Sequence, residues 1–323
     1  MRIKFMLFIF VVCATTYLFA NRVALKEFYL DITKPELPEA VSYQDAGLED
    51  FPPLQGGIKV GFEIDELEFS NGDGEGVREL QEDSSVTALE TPPSSTLISG
   101  GIADPADSDP DVSLEPPVTS QPSATPEPES YPDSYNLAVP FTPQAPFSNW
   151  EMPYQEACEE ASVYMVHKFY EGADEGLIEK LRADEDIKKI VEFENVLFGF
   201  YEDTTAEQIA MLVEQMYGYT RIQIIENPTV EQIKVQVASG RPVIVPAAGR
   251  MLKNPYFTGD GPLYHMLVIR GYTDTQFITN DPGTKHGEEY LYSFDRIMDA
   301  IHDWNDGDVE NGKKVVIIIY PEL

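Results

Sequence analysis

The chain has 323 residues, room for one or two domains, and carries 22 Lys+Arg against 56 Asp+Glu, a formal charge of -34. Such an excess of carboxylates excludes nucleic acid and anionic lipid surfaces as partners recognised through charge. With only two cysteines, Cys13 and Cys158, and the first inside a hydrophobic N-terminal stretch, there is no disulfide framework, and Cys158 is expected to be a free thiol.

Residues 1–20 have a short basic start (Arg2, Lys4) followed by a mostly apolar run, the form of a secretory signal peptide or a signal-anchor. The expected location is extracytoplasmic, secreted or held at the membrane by this single segment if it stays uncleaved. Residues 21–69 are a poorly defined segment with strand-like alternation in Gly57–Phe69. Residues 70–135 are acidic and rich in Pro, Ser and Thr, and no Lys or Arg occurs between Arg78 and Lys168. A segment of this kind repels itself and lacks apolar surface, so it reads as a disordered, extended linker, a stalk carrying the C-terminal domain.

The globular part is expected over 136–323. Gln155–Phe169 has helical spacing of Ala157, Ala161, Tyr164, Met165 and Phe169. Further helices are predicted over 174–191, over 204–217 opening at Thr204 or Thr205 with a capping box to Glu207, and over 229–239. Then come β-branched runs bounded by turn residues: Pro242–Ala247, His265–Tyr272, Gln276–Asn280, Glu289–Tyr292 and Lys314–Tyr320, with a helix over Phe294–Trp304. Helices first and an antiparallel sheet afterwards make an α+β fold, its N-terminal helical part packed on the sheet.

Cys158 falls about one turn into the first predicted helix, where unpaired backbone N–H groups favour a thiolate, although Glu159 and Glu160 oppose ionisation unless they face away. His265 opens a strand after the Gly-containing loop Ala248–Leu263, which is expected to form a cleft wall; helices between 174 and 217 are expected to add another. Asp281 closes the next strand. If the two strands are antiparallel neighbours, His265 and Asp281 meet and the carboxylate orients the imidazole, the logic of a nucleophilic triad. A side-chain amide, Gln144 or its competitor Gln155, is placed to donate to an oxyanion. His167 lies within the helix, His286 in a loop and His302 on a surface helix. They make no metal site with one cysteine, and no cofactor is expected.

VPFTPQAPFSNW…YQEACEEASVYMVHKFY, then GRPVIVPA, YHMLVIRGY and FITNDPGT together resemble the papain-like cysteine peptidase group related to bacteriocin leader (double-glycine) peptidases. The resemblance covers roughly 137–322. It implies a papain-like fold with Cys158 as nucleophile, His265 as base and then acid, Asp281 as orienter and Gln144 as oxyanion donor. In leader peptidases proper the glutamine stands closer to the cysteine. The expected activity is hydrolysis of a peptide or amide bond in a peptide or protein substrate through a thioester. Two alternatives keep the fold: an amidase or transpeptidase acting on cell-wall peptide, and a non-catalytic papain-like binding module.

Overall fold

A computed structural model describes residues 35–46, the backbone of 58–59, and 131–321. The signal or anchor segment 1–20, most of the alternating stretch Gly57–Phe69 and nearly all of the linker lie outside the described residues.

Eight strands form one sheet: β1 (Ile58–Lys59), β2 (Tyr135–Asn136), β3 (Arg221–Glu226), β4 (Val243–Ala248), β5 (Tyr264–Tyr272), β6 (Gln276–Asn280), β7 (Tyr290–Ser293) and β8 (Val315–Tyr320). Their order is β1-β3-β8-β4-β5-β6-β7, with β2 on β5, and every pairing is antiparallel. β4, β5 and β8 are buried along their whole length; β4 (VIVPAA) and β8 (VVIIIY) read as unbroken apolar runs rather than as alternating strands, whereas β5 also buries His265 and Arg270.

The helices are α1 (Cys158–Tyr170), α2 (Lys180–Leu197), α3 (Ala206–Tyr217), α4 (Val230–Ala238), the short α5 (Gly249–Leu252) and α6 (Phe294–Ala300). α1 lies across β5, with α2 and α3 against it. It is enclosed almost all round: only His167 and Lys168 are half-buried and the rest of the helix is buried. A capping box starts α3, where Thr205 and Gln208, not Glu207, exchange side-chain and backbone bonds. Thr229 and Gln232 do the same for α4.

The α+β class holds, with three corrections. β3 (RIQIIE) interrupts the expected run of helices; its three isoleucines are buried although polar neighbours break up the sequence pattern. α6 ends at Ala300, so His302 is not on a surface helix. It is buried beyond the helix end, with Nδ1–H donating to the Gly312 carbonyl at 3.0 Å.

The third correction concerns the domain boundary. Residues 35–46 belong to the folded body: Val41 N–H donates to Asn136 O (2.9 Å), Ala138 N–H donates to Val41 O (2.7 Å), and the Tyr43 ring meets Phe169 and Tyr170 edge-on at 5.6 and 5.3 Å. Ile58–Lys59 extends the sheet beside β3. At the other end Tyr131 packs edge-on against Tyr272, whose hydroxyl donates to Pro132 O, so the domain resumes before 136.

Candidate active site

The sheet register fixes the histidine and the aspartate. β5 and β6 pair with Val268 opposite Asn280 and Ile269 opposite Thr279, so the start of β5 runs beside the exit of β6. His265 Nε2 and Asp281 Oδ1 meet there at 2.8 Å, both buried. Using Nε2 for the carboxylate leaves Nδ1 for a second partner. Gly283 closes over the pair: its backbone N–H donates to Asp281 Oδ1 at 3.0 Å, and a Cβ there would lie 2.8 Å from Phe257 and 2.9 Å from His265 Cε1. Only glycine fits against the ring at that point.

Two residues with no sequence signal complete the setting. Asn254 Nδ2 and the Tyr292 hydroxyl donate to Asp281 Oδ2 at 2.9 and 2.6 Å, and Asn254 also donates to the Tyr292 oxygen at 2.8 Å. The carboxylate thus has four donors. Burial alone would raise its pKa, but the imidazole and the hydrogen bonds reverse that, and Asp281 stays below the usual carboxylate range.

Cys158 is the first residue of α1, one turn earlier than its expected place, so its N–H has no carbonyl four residues back within the helix. A 3-10 turn, Tyr154–Glu156, delivers the chain to that point. The helix end does not leave a thiolate, however. The thiol is pushed well above its ordinary range by burial first, then by the Glu159 carboxylate, whose Oε2 accepts the S–H at 2.9 Å. The Met266 backbone N–H pulls the other way and is outweighed. Glu159 therefore does not face away: it is buried against the sulfur, and Glu160 is buried beside it.

Gln144 reaches the same place and is buried, its backbone N–H bonded to Pro282 O at 2.9 Å. Its side-chain nitrogen donates to the carbonyls of Tyr154 and Gln155 at 2.9 and 3.0 Å. Two carbonyl acceptors fix the amide orientation and use both of its hydrogens. Gln144 thus braces the turn before α1 and has no hydrogen left over for an oxyanion, whereas the Gln155 side chain is exposed.

Cys158, His265, Gln144 and Gln155 all line one open cleft of about 1270 Å³. Loop 248–263 forms a wall, through Arg250, Phe257 and Leu263 among others. The second wall comes from 143–156, with Trp150 and Met152 exposed on it, and the region 174–217 contributes only Glu202 and Asp203, from a connection rather than a helix. Among the described residues no group of His, Cys, Asp and Glu could hold a metal ion, and no helix is long and apolar enough to cross a membrane.

The family model described as the Peptidase_C39 like family matches residues 136–306, more than half of the chain and the whole of this site. The chain belongs to that family. It is a cysteine peptidase of the papain-like group related to the bacteriocin peptidases. Among solved structures, a crystal structure described as a C39-like peptidase from Bacillus anthracis is 15% identical, with a TM-score of 0.40, covering 59% of this chain and 99% of that one. No curated protein matches. In this C39-like peptidase the matched span includes each of the expected site residues, Gln144, Cys158, His265 and Asp281.

Proposed function

We propose that this C39-like peptidase hydrolyses a peptide amide bond outside the cytoplasm, through Cys158, His265 and Asp281. The observation that carries the reading is the buried His265–Asp281 pair, opening on the same cleft as a cysteine at a helix N-terminus. Cys158 Sγ attacks the substrate carbonyl carbon while its hydrogen passes to His265 Nδ1, and the C=O electron pair moves onto oxygen. The Cys158 backbone N–H and the Gln155 side chain hold that oxygen. Collapse expels the amine, which takes the proton from His265. Water, deprotonated by the same imidazole, then cleaves the thioester and restores the thiol.

The cleft suits an extended peptide, with Trp150, Met152 and Leu263 offering exposed apolar contact. The extracytoplasmic assignment rests on the basic-then-apolar segment 1–20. An amidase or transpeptidase acting on cell-wall peptide would use the same chemistry, so stem peptides belong among the candidate substrates.

The test is digestion of a diverse peptide library, stem peptides included, read by mass spectrometry. The wild type should generate new termini, and Cys158→Ala should lose them by about three orders of magnitude or more. Equal cleavage by Cys158→Ala would overturn the reading. Secretion is tested separately, by fractionating cells that express the full chain.

A further inference from the structure

Phe257 stands in the cleft wall, on the loop between α5 and β5, and is only half-buried. Its ring nevertheless sits edge-on to the His265 imidazole, with centroids 5.3 Å apart and planes at 78°. Two glycines from different loops make that seat. A Cβ on Gly261 would lie 3.0 Å from Phe257 Cδ2, and one on Gly283 would lie 2.8 Å from Phe257 Cε1. The same turn holds the other member of the pair. Asn254, which donates to Asp281, accepts the Tyr256 N–H on Oδ1 at 3.0 Å and the Phe257 N–H on its carbonyl at 3.2 Å. One short turn thus touches both His265 and Asp281, while Pro255, Tyr256 and Thr258 of the same stretch line the cleft. The pair is buried although His265 lines an open cleft. Water reaching it would compete for the imidazole N–H and the carboxylate, and would weaken an attraction that poor solvation strengthens.

We propose that Phe257 is a positioning residue: its ring shields the His265–Asp281 hydrogen bond from cleft water and keeps Nε2 on the carboxylate, leaving Nδ1 for catalysis. The inference rests on the reading of His265 as the base that serves Cys158. A hydrogen bond at Nε2 alone leaves the imidazole free to tilt about that contact. A rigid aromatic neighbour, seated between two glycines, removes that freedom. No bond is made or broken at Phe257 and no proton passes through it. Its loss should therefore appear in the turnover rate and in the state of the imidazole, not in which bond is cleaved.

The experiment follows the proton NMR signal of His265 Nε2–H in the full chain with isotope-labelled histidine, assigned by its loss in His265→Ala, beside kcat and KM on a peptide the library yields. In Phe257→Ala that hydrogen should exchange with water about tenfold faster or more. The same variant should lose about ten- to a hundredfold in kcat, with a smaller change in KM. Phe257→Leu, which keeps an apolar cover, should recover most of both. Unchanged exchange or unchanged kcat in Phe257→Ala overturns the proposal, as does a loss equally complete in Phe257→Leu. If Phe257→Ala does not fold, the parent decides: its Nε2–H should exchange at least about tenfold more slowly than that of free histidine, and equal rates overturn the proposal. Failure of the underlying reading looks different, because there Cys158→Ala keeps cleaving the library while the Nε2–H still responds to Phe257→Ala.

Discussion

Asp281 and the glutamates that open α1 are buried in the same domain, and the fold treats them in opposite ways. Asp281 receives four hydrogen bonds, from His265, Gly283, Asn254 and Tyr292, and remains a carboxylate. Glu160 and Glu194 have no donor on any of their four oxygens when both are taken as ionised. Burial and their mutual repulsion raise Glu160 well above the usual range, and burial takes Glu194 to about 8. The two carboxyls face each other stably only with a proton between them, Glu160 donating to Glu194. Burial alone therefore does not set the charge of an acid. The donors supplied by the neighbouring chain do, and here they leave Asp281 ionised and the Glu160–Glu194 pair protonated.

The strongest way to break this contrast is to remove the ionised group. Asp281→Asn keeps the shape but takes away the charge that orients His265, and kcat should fall on the order of 10²–10⁴-fold. A loss of only a few-fold, measured on any peptide the library yields, would make the pair structural rather than catalytic.

The neutral pair is sharpened by pH. Glu194 has a folded pKa raised from 4.5 to about 8, so its contribution to stability is complete below the unfolded value and is lost as pH rises through about 8. Asp281 behaves inversely: its contribution is present above 3.8 and is lost as pH falls through its lowered folded value. Melting temperature should therefore fall between pH 5 and 9. Glu194→Gln should flatten that slope, by an amount on the order of a few kcal/mol. An identical slope in the variant would mean that the pair carries no shared proton.

The smallest effect expected is that of Tyr292→Phe. Removing the 2.6 Å bond to Oδ2 should cost about 1–2 kcal/mol and let the Asp281 pKa rise. The acid limb of kcat/KM should then move to higher pH, which simple loss of packing would not cause.

Much of the ionised site was legible in the sequence. YHMLVIRGY and FITNDP are strong strand patterns separated by a short turn, and antiparallel pairing dictates that their outer ends meet. Asn254 and Tyr292 were not legible, since a loop asparagine and a strand tyrosine carry no period that singles them out. The neutral pair was half legible. Two glutamates beside a cysteine are visible, but charged side chains ordinarily turn to solvent, and it takes α2 placing Glu194 against α1 to show that these do not. Gln144 shows the reverse case. The residue does reach the cleft, but its proximity to the carbonyls of Tyr154 and Gln155, which commits its amide, exists only in three dimensions. β3 was missed because RIQIIE is short and flanked by polar residues, and its place in the sheet is decided by pairing to β8.

The docking of residues 35–46 and of Ile58–Lys59 changes what the long acidic tract can do. Both of its ends are moored to one body, at Lys59 and again near Tyr131, so it is a bight in the rope rather than a length between two posts. Cutting it once would yield two fragments still joined through the sheet and the Tyr43 contacts.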